Sequence, residues 1–282
     1  MANTRNIALN VLLKIENEGA YSNIALNNAI KENRLSGVDS SFVSALVYGV
    51  LERRITLDYI IRAYSKIPLR KIETKTKNIL RLGIFQLLFM DKVPDSAAVN
   101  ESVNLAKKHK LQKSSGFING ILRNITRAEV KYTLPDEKDW VRYLSVKYSV
   151  PESIVKLWVN SYGENNAKQL LASLNGRAKI CCRVNTLRTD ADTLIKKLSD
   201  EGVVAEKIFF IDNALYLENT GSVERLRAYK SGLFHIQDAS SQLCVNFLDP
   251  KPRNIMLDVC SAPGGKSFSA AQYMNCLLYT SP

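Results

Sequence analysis

From Thr4 to Ile125 the apolar residues recur every three to four positions and never settle into alternation, which constrains this chain more than any other feature. A stretch that long with only the helical period has to fold as packed helices. Ile7, Val11, Leu12 and Ile15 form the first stripe, which Gly19 closes, and a second helix is predicted from Asn23 to Glu32. Asp39 or Ser40 is placed to cap a third, with Phe42, Ala45, Leu46 and Val50 on its buried side. Leu57, Ile60, Ile61 and Tyr64 carry the period on until Pro68. Ile79, Leu82, Ile84, Phe85, Leu88 and Phe89 make the most apolar helix and are predicted to be the centre of the core. Asp95 or Ser96 opens another helix through Val99, Val103 and Ala106, and a last one runs from Ser114 to Ile125.

After Ala128 the texture changes. Residues 133–137 read as a connector, followed by helices from Trp140 to Tyr148, from Pro151 to Trp158 and from Ala167 to Leu174. Lys179–Asn185 is the first convincing strand. A helix capped by Thr189 or Asp190 follows, Gly202 ends it, and strands are predicted at Val203–Ile208 and Ala214–Leu217. This βαββ order suits a small α+β subdomain. His235 is expected to be a packed or backbone-bonded histidine on a strand, with a helix from Ser240 to Phe247 behind it. At 282 residues the chain has room for about two domains.

Asn254–Asp258 then reads as a short buried strand ending on a carboxylate, and Phe268–Met274 as a helix. Between them lies a tight loop, Val-Cys-Ser-Ala-Pro-Gly-Gly-Lys-Ser, from Val259 to Ser267. Strand, loop and helix in this order build a ligand crevice at the carboxyl edge of an α/β sheet. Gly264 and Gly265 leave the backbone bare for close approach, and Pro263 stiffens the turn. The run Gly-Lys-Ser ends like a phosphate-binding loop, but that pattern requires glycine where Cys260 stands, and Pro263 removes an amide from the cradle. No glycine spacing here fits the dinucleotide fingerprint. A purely structural turn remains the plain alternative.

Charge divides the chain. Residues 1–130 hold 20 Lys and Arg against 11 Asp and Glu, whereas residues 131–282 hold 19 against 16, within a total of +12. A basic half joined to a nearly neutral half suits a polyanion grip attached to a second body, although solvated helix faces would give the same count. Arg53, Arg54, Lys107, Lys108, Lys110, Arg123 and Arg127 are the candidate phosphate contacts. His109, among lysines, reads as a surface residue. Five cysteines with no C-x-x-C give neither a zinc site nor a disulfide framework, and Cys181, Cys182 and Cys244 read as small buried apolar residues. No apolar run reaches membrane-spanning length and no secretory signal opens the chain, so the cytoplasm is the expected compartment.

Taken whole, Asp258-Val-Cys-Ser-Ala-Pro-Gly-Gly-Lys266 resembles the first cofactor motif of the RNA cytosine-5 methyltransferases. Four further stretches resemble the NusB-type RNA-binding domain, in the right order: Tyr48–Asp58, Ile79–Leu88, Pro94–Glu101 and Gly116–Asn124. Arg183–Arg188 and Gly232–Gln242 continue the likeness, so the resemblance runs from about residue 4 to about residue 275 and is to the Sun/RsmB-type ribosomal RNA methyltransferases. It implies an all-α NusB-like domain at 1–128, a helical connector and small α+β subdomain at 129–230, and the start of an incomplete α/β Rossmann-like methyltransferase domain at 231–282.

The resemblance also implies S-adenosylmethionine as cofactor, held by Cys260, Ser261, Ala262, Pro263, Gly264, Gly265 and Lys266, and small-subunit (16S) ribosomal RNA as partner of a monomer. Arg53, Arg54, Lys107, Lys108 and Arg123 are the residues expected on that RNA. Cytosine C5 is too weak a nucleophile for a sulfonium methyl, so in this family a cysteine thiolate first adds at C6, and a base later removes the C5 proton. That cysteine is expected downstream of the motifs present, and Cys260 belongs to the cofactor loop instead. The tail from Asn275, including Cys276, does not resemble the expected helix continuation. The expectation is therefore a truncated reading frame, inactive as it stands. A non-catalytic RNA-binding module is the alternative.

Overall fold

The computed structural model describes residues 4–174 and 179–274. The chain divides into two compact units, 1–176 and 177–282. No helix among the described residues is long and apolar enough to cross a membrane.

The first unit is helical throughout: α1 (Thr4–Glu18), α2 (Ser22–Glu32), α3 (Gly37–Glu52), α4 (Arg54–Tyr64), α5 (Thr74–Phe89), α6 (Asp95–Lys108), α7 (Gln112–Arg127), α8 (Trp140–Tyr148) and α9 (Glu152–Ser173). Helix α5 runs through the middle, packed against α1, α3, α4, α6 and α7, and its residues Ile79 to Gln86 are all buried. Glycines let its neighbours in close. A Cβ on Gly49 would fall inside the Phe85 ring, and one on Gly83 would press on Leu122 and Ser102. Amid this apolar core sits Arg81, which forks onto Asp58 at 2.7 and 2.8 Å and reaches Glu16 at 2.8 Å. Such paired, hydrogen-bonded geometry is what permits an arginine to be buried.

Two boundaries differ from expectation. Helix α3 starts at Gly37, so Asp39 lies in its first turn, where a carboxylate is favoured by the helix dipole, and does not cap it. The two helices expected between Pro151 and Leu174 meet at Gly163, whose φ of 76° breaks the α9 span between them. Helix α8 is tied to α4: Thr56 Oγ1 donates to the Val146 carbonyl at 2.6 Å, and the Ile55 N–H donates to Ser149 Oγ at 3.0 Å.

The second unit contains β1 (Ile180–Val184), α10 (Ala191–Ser199), β2 (Val204–Lys207), β3 (Ala214–Glu218), α11 (Arg227–Lys230), β4 (Phe234–Ile236), α12 (Ala239–Leu248) and α13 (Gly265–Met274). Its strands form one antiparallel sheet in the order β2-β3-β1-β4. Cys182, Val184, Leu215, Leu217 and Phe234 share a core with Leu194 and Leu198 of α10. On the other side, Cys181 and Ala214 pack with Leu243 of α12. Asp190 and Asp238 cap α10 and α12, accepting backbone N–H groups of Thr193 and Ser240 at 2.8 Å.

The strand expected at Asn254–Asp258 does not form. Those residues carry no regular secondary structure, no strand among the described residues pairs with them, and Ile255, Leu257 and Val259 stand 101%, 86% and 85% exposed. A buried parallel strand needs neighbours on both edges, and none is present there. Met256 turns inward, packing with Val245, Ala270 and Met274.

Candidate functional site

The loop after residue 258 is organised by that residue's own carboxylate. Asp258 accepts the Ser267 hydroxyl at 2.7 Å and the Cys260 N–H at 3.1 Å, so the two ends of the loop are joined through one side chain. These bonds, the Ser267 one foremost, hold the carboxyl below the usual aspartate range. The Ala262–Pro263 peptide is cis, and Gly264 has φ of 102°, where a Cβ would also run into the Phe268 ring. Cys260, Ser261, Ala262, Pro263 and Lys266 are exposed and both glycines half-buried. Helix α13 begins at Gly265, backed by Gln237. Asp258 belongs to the motif in sequence, but its role in holding the loop shut is visible only in the fold.

Beneath α13 lies a polar layer that sequence reasoning missed. Ser269 Oγ lies 2.7 Å from both Gln237 Oε1 and the Gly265 carbonyl, and 3.5 Å from His235 Nε2. His235 is half-buried, and that burial, reinforced by the Arg183 charge and opposed by its bond to Gln237, pushes its pKa below 6.5. Arg183, from the middle of β1, is fully buried and donates to the Tyr273 hydroxyl at 2.5 Å. Nothing in the pattern Ile-Cys-Cys-Arg-Val marks that arginine as interior.

The cysteines separate by burial. Desolvation pushes the Cys181 thiol up to about 11 and that of Cys182 up to about 12, so neither forms a thiolate near neutral pH. Cys260 is exposed, and so is Cys244, against the expectation that it is buried: it lies on α12, whose inward face is taken by Gln242 and Val245. Cys276 lies outside the described residues.

The candidate RNA contacts fall in separate places. Arg53, at the C-cap of α3, stacks on Phe89 with its guanidinium carbon 4.4 Å from the ring centroid, while Arg54 is exposed at the start of α4. Lys107 and Arg123 meet across a groove between α6 and α7 that Asn100, Asn104 and Asn119 also line. Arg123 and Asn100 line the next hollow along as well, with Arg127. Arg123 Nε is steadied by Asn119 Oδ1 at 3.0 Å. Lys108 and Lys110 are exposed nearby but do not line that groove. His109 is half-buried, its Nε2 2.7 Å from Asn6 Oδ1.

Comparison with known proteins fits both halves. Residues 2–127 match the NusB family, and residues 150–224 match the RsmF/B-like methyltransferase ferredoxin-like domain. The chain thus carries a NusB-family helical region followed by a region of the RsmF/B-like methyltransferase ferredoxin-like domain. It is similar to the ribosomal RNA small subunit methyltransferase B proteins. The Bacillus subtilis (strain 168) protein of that name, qualified as probable, is 36% identical, with 96% of this chain and 60% of the relative covered. The corresponding Synechocystis protein is 33% identical, with 97% and 61% covered. The chain therefore spans about three fifths of the length of these curated relatives. The crystal structure of PH0851 shares the fold, with a TM-score of 0.69 at 19% identity over 96% of this chain and 61% of that one.

Proposed function

We propose that this chain forms the RNA-gripping and cofactor-loop portion of a monomeric, cytoplasmic, S-adenosylmethionine-dependent enzyme that methylates cytosine C5 in small-subunit ribosomal RNA. The observation that carries the reading is the loop closed by Asp258, which leaves Cys260, Ser261, Ala262, Pro263 and Lys266 exposed at the start of α13. In this reading the loop holds the cofactor, which when bound supplies an electrophilic methyl group. Lys266 adds a positive charge at the rim. Cys181 and Cys182 are too deeply buried to serve as nucleophiles, and Cys260, whose backbone N–H is held by Asp258, is read as part of the cofactor loop. The similarity to relatives named ribosomal RNA small subunit methyltransferase B supports the substrate class.

Photocrosslinking with labelled S-adenosylmethionine tests the loop. Label in the peptide spanning residues 258–267, displaced by S-adenosylhomocysteine, is the expected result, and labelling that does not compete overturns it. A second reading, an RNA-binding module without catalysis, is favoured by the exposure of Ile255, Leu257 and Val259 beside the loop. The two part on methyl transfer from labelled cofactor to small-subunit RNA when the 282-residue chain and a full-length relative are assayed together. A methylating relative supports the enzyme reading, and salt-dependent RNA binding by both without methyl transfer supports the module.

A further inference from the structure

Arg183 sits on β1 directly opposite His235 on β4, and Cys181, two residues back on the same sheet face, is opposite Gln237 through the Gln237 N–H to Cys181 carbonyl bond. The sheet therefore presents Arg183, His235 and Gln237 on one face. Helix α13 meets this polar set with Ser269 and Tyr273, four residues apart and so on one side of the helix. The Arg183 guanidinium donates to the Tyr273 hydroxyl and also lies 5.1 Å from that ring's centroid. Its Nε and Nη1 find no acceptor among the described residues, nor does Gln237 Nε2.

A buried arginine so poorly matched does not strengthen the fold, since an apolar side chain of similar volume would do as well or better. What it does specify is orientation. Two polar contacts one turn apart, at Ser269 in the middle of α13 and at Tyr273 near its C-terminal end, fix both the position of the helix along the sheet and its rotation about its own axis. Gly265 is the first residue of that helix, and the loop from Cys260 to Lys266 hangs from it. We propose that Arg183, acting through Tyr273, is a positioning residue for the cofactor loop, clamping α13 so that the loop backbone is preorganised. This rests on the reading of the loop as a cofactor site.

The test is hydrogen–deuterium exchange on the whole 282-residue chain, comparing wild type with Tyr273→Phe and Arg183→Met. Tyr273→Phe keeps the ring and removes the acceptor. We expect both variants to speed amide exchange across residues 260–274 by about tenfold or more while β1, β2 and β3 keep their protection. Arg183→Met should at the same time leave the thermal midpoint of the sheet unit unchanged or raised, a combination that a merely structural arginine cannot give. Unchanged exchange at 260–274, or uniform loosening of the whole unit, overturns the proposal. S-adenosylmethionine affinity, read by equilibrium dialysis, should fall about fivefold in Tyr273→Phe. Selective loosening in a chain whose wild type binds no cofactor would overturn the reading of the loop and leave the clamp supported.

Discussion

His235 is the residue whose surroundings give the clearest dependence on pH. Burial, and after it the positive charge of Arg183, lowers its folded pKa, while the unfolded chain keeps the ordinary value near 6.5. On acidification the unfolded chain therefore binds this proton first. The stability that neutral His235 contributes is complete above about pH 6.5 and is lost as the pH falls through the lower folded value. We expect the melting temperature of the sheet unit to decline below about pH 6.5 and His235→Gln to flatten that decline, as followed by circular dichroism. Arg81 provides the matching case in the helical unit. Arg81→Met would leave Asp58 and Glu16 facing each other across an apolar site, and should cost about 3 kcal/mol in a urea melt, the lower end of what breaking a buried pair costs because both carboxylates are part-exposed. Neither buried arginine, Arg81 nor Arg183, is conspicuous in sequence. Arg81 falls on an otherwise apolar helix and Arg183 on a strand covered on both faces, where no alternation separates inside from outside.

Among the elements, helices were legible because their signal is local. The stripes of α1, α4, α5 and α7 repeat at 3.6 residues whatever lies around them, and two helices were expected between Pro151 and Leu174, although Gly163 as the point where they meet was not. Strands β1 to β3 were read for a similar reason, each being bounded by turn residues. Asn254–Asp258 carries the same composition and stays unpaired, because a strand is defined by its neighbours and composition says nothing of whether they are there. The candidate loop was legible in its residue types and spacing, but its closure through Asp258 and its seat on Gln237 depend on tertiary packing. The groove between α6 and α7 is likewise a product of packing, since Lys107 and Arg123 are sixteen residues apart and meet only when the helices pair. Reversing Lys107, Arg123 and Arg127 to glutamate should lower the salt slope of RNA binding by about 2, at roughly 0.7 for each phosphate no longer neutralised on a single strand. The same reversal at Lys108 and Lys110, outside the groove, should change it less. Filter binding across a series of salt concentrations measures both.

For the whole molecule, the bonds that α8 and the segment before it make to α4 set where the helical unit can be cut. Thr56 and Ile55 on α4 bond to Val146 and Ser149, and Tyr64 donates to the Lys131 carbonyl at 2.7 Å. A fragment of residues 1–174 keeps these bonds, whereas one of residues 1–128 strands the buried Thr56 hydroxyl. We expect both fragments to be helical and the longer one to melt cooperatively at the higher temperature, by several degrees for each kcal/mol retained. The run from 254 to 259 has a consequence of another kind. Ile255, Leu257 and Val259 are exposed at every second position along backbone that no strand among the described residues pairs, an apolar alternation close to what seeds cross-β stacking between chains. At high concentration the 282-residue chain should precipitate by a route that leaves its helical unit native. Leu257→Lys, a gatekeeper charge in the centre of the run, should raise the solubility limit severalfold without moving either unit's melting temperature. Light scattering against concentration would register the gain, and thioflavin fluorescence of the precipitate would report whether its architecture is amyloid-like.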